Sequence, residues 1–188
     1  VRASMDEGAF GLSTGLRYLP GAFSDVDEIV ALSEVAARAG GFYTSHLREE
    51  GLALLEGVGE ALEIGRRAGI PVVLTHHKAV GAPMWGASER TLAMVDSARA
   101  AGTDVMIDQY PYTASYTGIG ILAPPWALEG GDEAFLERMR DPRTADSILA
   151  GIAFNIVNDR GGNDLARVQL ALVEWDRSLE GRTLADWA

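Results

Sequence analysis

Hydrophobic and polar residues follow the same order three times in the first part of the chain. An amphipathic stretch with apolar residues at helical spacing ends at a glycine, a short apolar run follows, and polar residues come next. Each repeat has ~30 residues, enough for one strand and one helix. The predicted helices cover residues 26–39, 52–67 and 88–101, and the predicted strands cover residues 10–16, 41–46, 70–75 and 105–110. This alternation predicts parallel βα units.

Parallel βα units build either an open doubly wound sheet or a closed barrel. No glycine-rich phosphate loop follows any predicted strand, and neither a dinucleotide fingerprint nor a Walker A pattern occurs. In a barrel, functional residues gather at the carboxyl ends of the strands. Polar side chains lie at these ends, namely His46, Arg48, His76, Lys78, Asp108 and Tyr110. The pattern therefore predicts an α/β fold, a partial (β/α)8 TIM-like barrel that takes in residues 1–188 as one unit.

The regular alternation ends after Tyr112. Residues 113–131 are rich in Gly, Pro, Thr and Ser and are too long for a simple connection, so they predict a region that covers an active site. Two short helices are predicted at residues 132–140 and 144–151, and a further strand at residues 168–174. Helical turns at residues 1–8 and 183–188 indicate a catalytic barrel truncated at both ends.

Length, charge and cysteine content narrow the classes of function. A chain of 188 residues with 47% hydrophobic residues can bury one core. Its 27 acidic and 16 basic residues give a net charge of -11, which argues against nucleic acid or an anionic membrane surface as a partner. Since cysteine is absent, any metal must have nitrogen and oxygen ligands. The apolar runs are too short to span a membrane and no secretory signal is evident, so we expect a soluble, cytoplasmic protein.

Two of the three histidines lie at equivalent points of successive repeats. His46 and His76 each follow a predicted strand, and neighbouring parallel strands lie ~4.8 Å apart, so two inward-facing imidazoles there can share one cation. The simpler interpretation is that each histidine is hydrogen-bonded in a polar barrel mouth. His77 has the opposite facing to His76 along a strand, which predicts a supporting or packing role rather than a ligand.

Three further polar residues are candidates for substrate contacts, and each has an alternative. Lys78 shares the facing of His76 and is suited to bind a carboxylate or polarise a carbonyl, or else it is simply solvated. Arg48 is suited to clamp an anionic substrate, or else it pairs with one of the two glutamates that follow it. Tyr110 is suited to donate a hydrogen bond to a tetrahedral oxyanion, or else it packs under the following loop.

Four segments, in order, resemble the N-acyl-D-amino-acid deacylase (D-aminoacylase) branch of the amidohydrolase superfamily. They are DEGAFGLSTGL at residues 6–16, SHLREEG at 45–51, THHK at 75–78 and DQYPYTAS at 108–115. Trp85-Gly86 lies between the last two segments, and Pro124-Pro125-Trp126 follows them. One such motif is a weak signal, whereas four in the family's order and spacing are a strong match. The resemblance covers residues 3–150.

This resemblance implies a TIM-like barrel with a small β-rich domain and a zinc-centred site. The implied reaction is hydrolysis of a small-molecule N-acyl-D-amino acid to a carboxylate and a free D-amino acid. His46 and His76 match the family's strand-end zinc ligands, and Lys78 and Tyr110 match its substrate-contacting positions. Residues 113–131 match part of its substrate-covering region.

Part of the family's site is expected outside this chain. The His-x-His pair and the metal-binding cysteine are expected before Val1, and the catalytic aspartate after Ala188. For that reason we expect the fragment alone to be inactive and to hold well under one equivalent of zinc. Two alternatives stay open. The chain could come from an amidohydrolase that acts on a cyclic amide or hydantoin, with the same histidines, or it could be a non-catalytic piece.

Overall fold

The computed structural model describes residues 1–187, in which a short helix, α1 (Arg2–Asp6), precedes a sheet of four parallel strands. The strands are β1 (Gly11–Gly15), β2 (Phe42–His46), β3 (Val72–Leu74) and β4 (Val105–Ile107), and they neighbour one another in chain order. Helices α2 (Val26–Arg38), α3 (Leu54–Ala68) and α4 (Ser88–Ala100) join successive strands. The prediction of an α/β fold with a parallel sheet is confirmed.

Local sequence explains where these helices begin and end. At the start of α2, the Asp25 side chain accepts a hydrogen bond from the Glu28 amide (2.8 Å), an amide that has no partner inside the helix. Arg38 lies in the last turn of α2, where a positive charge is favourable. Helix α3 ends at Gly69, whose φ of 61° is a left-handed conformation that glycine adopts without steric cost. The chain can therefore return to the sheet directly after each helix.

Side chains from the helices and the sheet form one core. The strands contribute Tyr43, Val72, Leu74 and Val105, all of them buried. The helices contribute a matching set, namely Ile29, Val30 and Ala36 from α2, Val58, Ala61 and Ile64 from α3, and Val95 from α4. Full burial of a side chain the size of Val, Leu or Ile contributes about 1.5–3 kcal/mol. This packing fixes the strand ends, where the candidate site residues lie.

The third and fourth strands end earlier than predicted. β3 ends at Leu74 rather than at residue 75, and β4 ends at Ile107 rather than at residue 110. The reason is a polar contact beyond the strands, because the Asp108 side chain accepts a hydrogen bond from the His76 amide. His76 therefore lies in a turn after β3, whereas His46 is the last residue of β2.

Within residues 1–187, the segment after β4 contains helices but no strand. Helices α5 (Gly131–Arg140) and α6 (Pro142–Asp159) pack against each other, and α7 (Leu184–Trp187) follows later. The strand predicted at residues 168–174 is wrong, because only a single antiparallel bridge forms there, between Gln169 and Thr183. The helix predicted at residues 144–151 is longer than expected, since Asp141 caps it through the Thr144 amide (3.0 Å) and no proline interrupts it.

Residues 113–131 form an irregular segment with two short 3-10 helices, Ile119–Leu122 and Pro125–Leu128, and α5 begins at its last residue. The end of α6 returns to the sheet, because the Asp159 side chain accepts a hydrogen bond from the Leu52 amide (3.2 Å) and pairs with Arg17 (3.3 Å). Across the described part of the chain, no helix combines the length and the apolar character needed to cross a bilayer.

Candidate metal centre

The imidazoles of His46 and His76 face each other. Nδ1 of His46 lies 2.8 Å from Nε2 of His76, and the ring centres are 4.5 Å apart with the planes at 73°. The two side chains are 18% and 23% exposed, so both are shielded from bulk water. The structure thus brings together the two histidines that the repeat spacing predicted as a pair.

Different backbone conformations place the two rings. In the register of β2 and β3, His76 lies one residue further along than His46. A turn compensates for this offset, since His76 has a φ of 43°, a left-handed conformation that is uncommon for residues other than glycine. Asp108 holds the turn, because its side chain accepts a hydrogen bond from the His76 amide and its carbonyl oxygen accepts one from the His77 amide (2.9 Å).

A buried glutamate lies behind both rings. Glu50 is 9% exposed, and its Oε1 lies 3.2 Å from Nδ1 of His76 while its Oε2 lies 3.7 Å from Nε2 of His46. It therefore approaches the nitrogen of each ring that points away from the other ring. The sequence pattern indicated Glu50 only as an ion-pair partner for Arg48. The signal for its actual place was a carboxylate four residues after a candidate ligand histidine.

The donor set fits a cation held between the two facing nitrogens. His46, Glu50 and His76 each offer a ligand atom, and these atoms lie within 4.8 Å of one another. Two nitrogens bound to tetrahedral zinc at ~2.0–2.1 Å are roughly 3.3 Å apart, so the facing nitrogens need to separate by about 0.5 Å. Both must be unprotonated, so each ring proton lies on the outer nitrogen; at Nδ1 of His76 this requires the Lys78 ammonium, 2.8 Å from that nitrogen, to turn towards the Glu50 carboxylate.

A cation bound directly by Glu50 and the outer nitrogens would meet Lys78. The Lys78 Nζ lies 2.7 Å from Oε1 of Glu50 and 2.8 Å from Nδ1 of His76. Because the ammonium group already provides positive charge at that point, a metal ion there would be repelled. The geometry therefore favours the two facing nitrogens as ligands and Glu50 as the group that orients both rings.

Electrostatics favour a neutral ring at His46. Burial, together with the neighbouring His76 and Lys78, lowers the pKa of His46 to about 3. A neutral imidazole is the form that binds a metal ion. Burial also lowers the pKa of Lys78, while the negative charge of Glu50 opposes that shift. The His46 ring can therefore accept a cation near neutral pH without first losing a proton.

Lys78 and Tyr110 lie beside the histidine pair. The Lys78 Nζ is 5.7 Å from the centre of the Tyr110 ring, and that ring is 6.1 Å from the His76 ring. Burial raises the pKa of the Tyr110 phenol, which keeps its proton available for donation. Both residues line a cavity of about 1030 Å³, to which the irregular segment of residues 113–131 also contributes. A cavity of this size accommodates a small organic molecule.

Arg48, predicted as a substrate clamp, does not join this group. Its Nε lies 3.0 and 2.9 Å from the two carboxylate oxygens of Glu60, and its Nη2 lies 2.9 Å from one of them. The same guanidinium donates to the carbonyl oxygens of Ala22 (2.9 Å) and Ser24 (2.8 Å). Among residues 1–187, Arg48 is not part of the cavity lining. Arg48 therefore pairs with Glu60 rather than with Glu49 or Glu50, and its other donors bond to backbone carbonyl oxygens.

Two other aromatic side chains complete the surroundings. His77 contacts Thr91, with Nε2 2.8 Å from the hydroxyl oxygen, and burial lowers its pKa, which is consistent with a supporting position. Tyr18 packs its ring 4.8 Å from the His46 ring, and its hydroxyl lies 2.9 Å from that of Thr117. Tyr18 lies in the loop after β1 and belongs to no strand end, so the sequence pattern did not indicate it.

Known proteins are similar to this chain in sequence and fold. The chain is 43% identical over 150 residues to an N-acyl-D-glutamate deacylase of Alcaligenes xylosoxydans xylosoxydans, which covers 80% of this chain and 30% of that protein. A structure of N-acyl-D-glutamate deacylase from Bordetella bronchiseptica, complexed with zinc and a phosphonate mimic of the tetrahedral intermediate, matches 59% of this chain and 23% of its own, at 43% identity and a TM-score of 0.58. A crystal structure of D-aminoacylase matches 61% of this chain and 24% of its own, at 38% identity and a TM-score of 0.58. No family model matches the chain.

These matches agree with one another in sequence and in structure. The chain spans 30% of the length of the curated relative described above, so it corresponds to a segment of that protein. The structural matches cover more than half of this chain, and one of them carries the same deacylase name as the sequence match. The chain belongs to the N-acyl-D-amino-acid deacylase (D-aminoacylase) family of the amidohydrolase superfamily.

Proposed function

We propose that the full-length protein hydrolyses N-acyl-D-amino acids at a zinc centre, releasing a carboxylate and a free D-amino acid, with His46 and His76 as two of the zinc ligands. The observation that carries this proposal is the facing pair of imidazoles, backed by Glu50, beside a cavity lined by Lys78 and Tyr110. Support comes from relatives that are named as deacylases of this substrate class, one of them complexed with zinc.

The residues around the proposed zinc ligands have distinct tasks. When bound, zinc polarises the scissile carbonyl and lowers the pKa of a water ligand to about 7. The negative charge of Glu50, 3.2 Å from the outer nitrogen of His76 and 3.7 Å from that of His46, favours ring protons on that side and leaves the facing lone pairs directed at the ion. Asp108 fixes the turn that brings the His76 ring to the shared position.

Lys78 and Tyr110 are the proposed substrate contacts. The Lys78 ammonium lies in the cavity wall and attracts the α-carboxylate of the substrate. The protonated phenol of Tyr110 donates a hydrogen bond to the carbonyl oxygen as that oxygen gains negative charge. Residues 113–131 cover the bound molecule. The family resemblance implies an aspartate general base outside this chain, so none of the residues described here has that role.

The sheet belongs, in this proposal, to a closed (β/α)8 barrel. All four strands are parallel, neighbours in space are neighbours in sequence, and a helix joins each pair, as a barrel requires. Within residues 1–187, β1 and β4 are edge strands, and closure would pair both edges. The proposed site then lies at the carboxyl ends of the strands.

Zinc analysis and stereospecific assays of the full-length protein test the proposal. We expect release of the amino acid from N-acetyl-D-amino acids and none from the L-enantiomers. His46→Asn and His76→Asn each remove one facing nitrogen, so both variants should lose zinc and at least about 100-fold in kcat/KM. His77→Gln is the matched control for zinc content, because it leaves both facing rings in place.

Two results would overturn the proposed function. Retention of stoichiometric zinc in both His46→Asn and His76→Asn would show that the facing nitrogens are not ligands. Hydrolysis of dihydropyrimidines or hydantoins, without hydrolysis of N-acetyl-D-amino acids, would assign the protein to the cyclic-amide branch instead.

A further inference from the structure

The carboxyl end of α6 is bonded to the two loops that follow β2 and β3. The side chain of Asp159 is buried, and its Oδ1 accepts a hydrogen bond from the Leu52 amide in the first loop (3.2 Å). The carbonyl oxygen of Arg160 accepts one from the Ala82 amide in the second loop (2.8 Å). A helix end that comes from far along the chain therefore joins two loops next to the candidate metal centre.

A glycine in each loop permits this close approach. A β-carbon on Gly51 would overlap the side chain and the backbone of Asp159, and one on Gly81 would overlap the carbonyl oxygen of Asn158. Neither glycine has a positive φ, so packing rather than backbone conformation excludes a larger side chain at both positions. The contact with α6 is therefore part of how both loops are built.

Glu50 lies at this junction. It directly precedes Gly51, and its carbonyl oxygen accepts a hydrogen bond from the Val80 amide (2.8 Å). The backbone of Glu50 is thus held by Val80 through its own carbonyl group and by Asp159 through the next two residues. The direction in which its carboxylate points depends on that backbone.

Asp159 itself is not a contact of the ligands or of the substrate. Its Oδ1 accepts from the Leu52 amide, and its Oδ2 lies 3.3 Å from Nη2 of Arg17. Among residues 1–187, Asp159 is not part of the cavity lining. Any effect of this carboxylate on the metal centre must therefore pass through another residue.

We propose that Asp159 is a positioning residue of the zinc centre, which holds the loop of Glu50 so that the carboxylate stays behind the rings of His46 and His76. This inference rests on the proposed function, in which Glu50 orients both rings. Without Asp159, the buried amide of Leu52 loses its partner, and the loop must move to satisfy it. The Glu50 carboxylate then leaves the outer nitrogens of the rings.

The test is a double-mutant cycle on zinc affinity in the full-length protein, measured by competition with a chelator. Asp159→Ala should weaken zinc binding by roughly 10-fold in the wild-type background. In the Glu50→Gln background, the same change should cost less than about 2-fold, because its effect passes through Glu50. Asp159→Asn keeps an oxygen that accepts from the Leu52 amide, so its affinity should lie nearer the wild-type value. Asp141→Ala is the matched control, since it removes the carboxylate at the other end of the same helix.

A second variant reaches the same junction without changing a charge. Gly81→Ala introduces the β-carbon that overlaps the Asn158 carbonyl oxygen, so it should displace the end of α6 and weaken zinc binding in the same Glu50-dependent way. Gly59→Ala is its control, because a β-carbon there lies 3.7 Å from its nearest neighbour, the methyl group of Met94.

Two results would overturn the inference while leaving the proposed reaction intact. One is an equal loss of affinity in both backgrounds, which is the result of a merely structural role. The other is unchanged affinity in Asp159→Ala and Gly81→Ala, with thermal unfolding showing that both are folded. If Asp159→Ala does not fold, Asp159→Asn and Gly81→Ala decide the matter in the same cycle.

Failure of the proposed function gives a different pattern. Zinc affinity that is unchanged in Glu50→Gln would refute the orienting task and this inference with it. A cycle with the expected coupling, in a protein that hydrolyses no N-acetyl-D-amino acid, would support the positioning role of Asp159 and refute only the proposed substrate.

Discussion

The segment from β1 to β4 and the segment after β4 differ in how they bury apolar side chains. The main core cluster lies entirely in the first segment, from Leu16 to Val105. Both segments expose some large apolar side chains, but the buried apolar residues of the second segment are few and lie outside that cluster, namely Leu122, Ala123, Ala127, Ile148, Val173 and Leu179. The histidine pair and Glu50 belong to the first segment, and most of the cavity lining belongs to the second. The main core thus holds the candidate ligands, while most of the cavity wall comes from residues outside that core.

The comparison would fail if the two segments contributed equally to stability. Leu74 is fully buried in β3, so Leu74→Ala should lower the free energy of unfolding by about 3 kcal/mol. Trp175 is 74% exposed in the second segment, and Trp175→Ala should change the free energy of unfolding by less than about 0.5 kcal/mol. Urea denaturation of the 188-residue chain measures both. Equal losses would contradict the assignment of the core to the first segment.

Substitution of Glu50 tests whether buried polar contacts in the first segment hold the ligands. Glu50→Gln keeps the shape but removes the negative charge behind both rings, so zinc affinity of the full-length protein should fall by about 10- to 100-fold. Glu49→Gln is the control, because Glu49 pairs with Arg17 (2.6 Å) rather than with the rings. Competition with a zinc chelator measures the affinity. An unchanged value would refute the orienting role, and a loss beyond about 1000-fold would make Glu50 a direct ligand.

The pH dependence of stability should carry a signature of His46. Its pKa is about 3 in the folded chain against an ordinary value of 6.5, so between these values the unfolded chain binds a proton that the folded chain does not. The free energy of unfolding should therefore fall as the pH drops from 6.5 towards 3, by at most about 1.4 kcal/mol per pH unit from this residue. His46→Gln should show a shallower dependence in urea denaturation from pH 7 to pH 4. Parallel curves for the two proteins would contradict the burial of this ring.

The smallest effect concerns the helix caps of the two segments. Asp25→Ala removes the cap of α2, which packs on the sheet, and should cost about 1 kcal/mol in the free energy of unfolding. Asp141→Ala removes the corresponding cap of α6 and should cost less, because this helix end can fray without opening the main core. Hydrogen exchange would locate the change at the affected helix. A larger loss for Asp141→Ala would reverse the order proposed for the two segments.

Sequence periodicity predicted the first segment well because burial there is regular. The glycine after each helix and the apolar runs of the strands reflect one repeated packing arrangement, and each predicted helix between the strands was found within two residues of its expected ends. The second segment has no such repeat. There the apolar run at residues 168–174 predicts a strand, although only one bridge forms, at Gln169.

The histidine pair, Lys78 and Tyr110 were predictable, whereas the place of Glu50 was not. His46 and His76 are 30 residues apart, at successive strand ends, and periodicity alone brings them near each other. Glu50 comes to the same place through a loop, and no periodic signal records such a contact. Arg48 is a candidate that the strand-end position predicted wrongly to face the site. Its guanidinium forms an ion pair with Glu60 instead.

The left-handed turn at His76 sets chain stability against function at a single residue. A side chain with a β-carbon is disfavoured there by about 1–2 kcal/mol relative to glycine. Glycine at position 76 would relax the backbone and delete the imidazole in the same step. Selection for heat resistance alone should therefore drift towards glycine or asparagine at this position, and persistence of histidine under combined selection would mark the ring as indispensable.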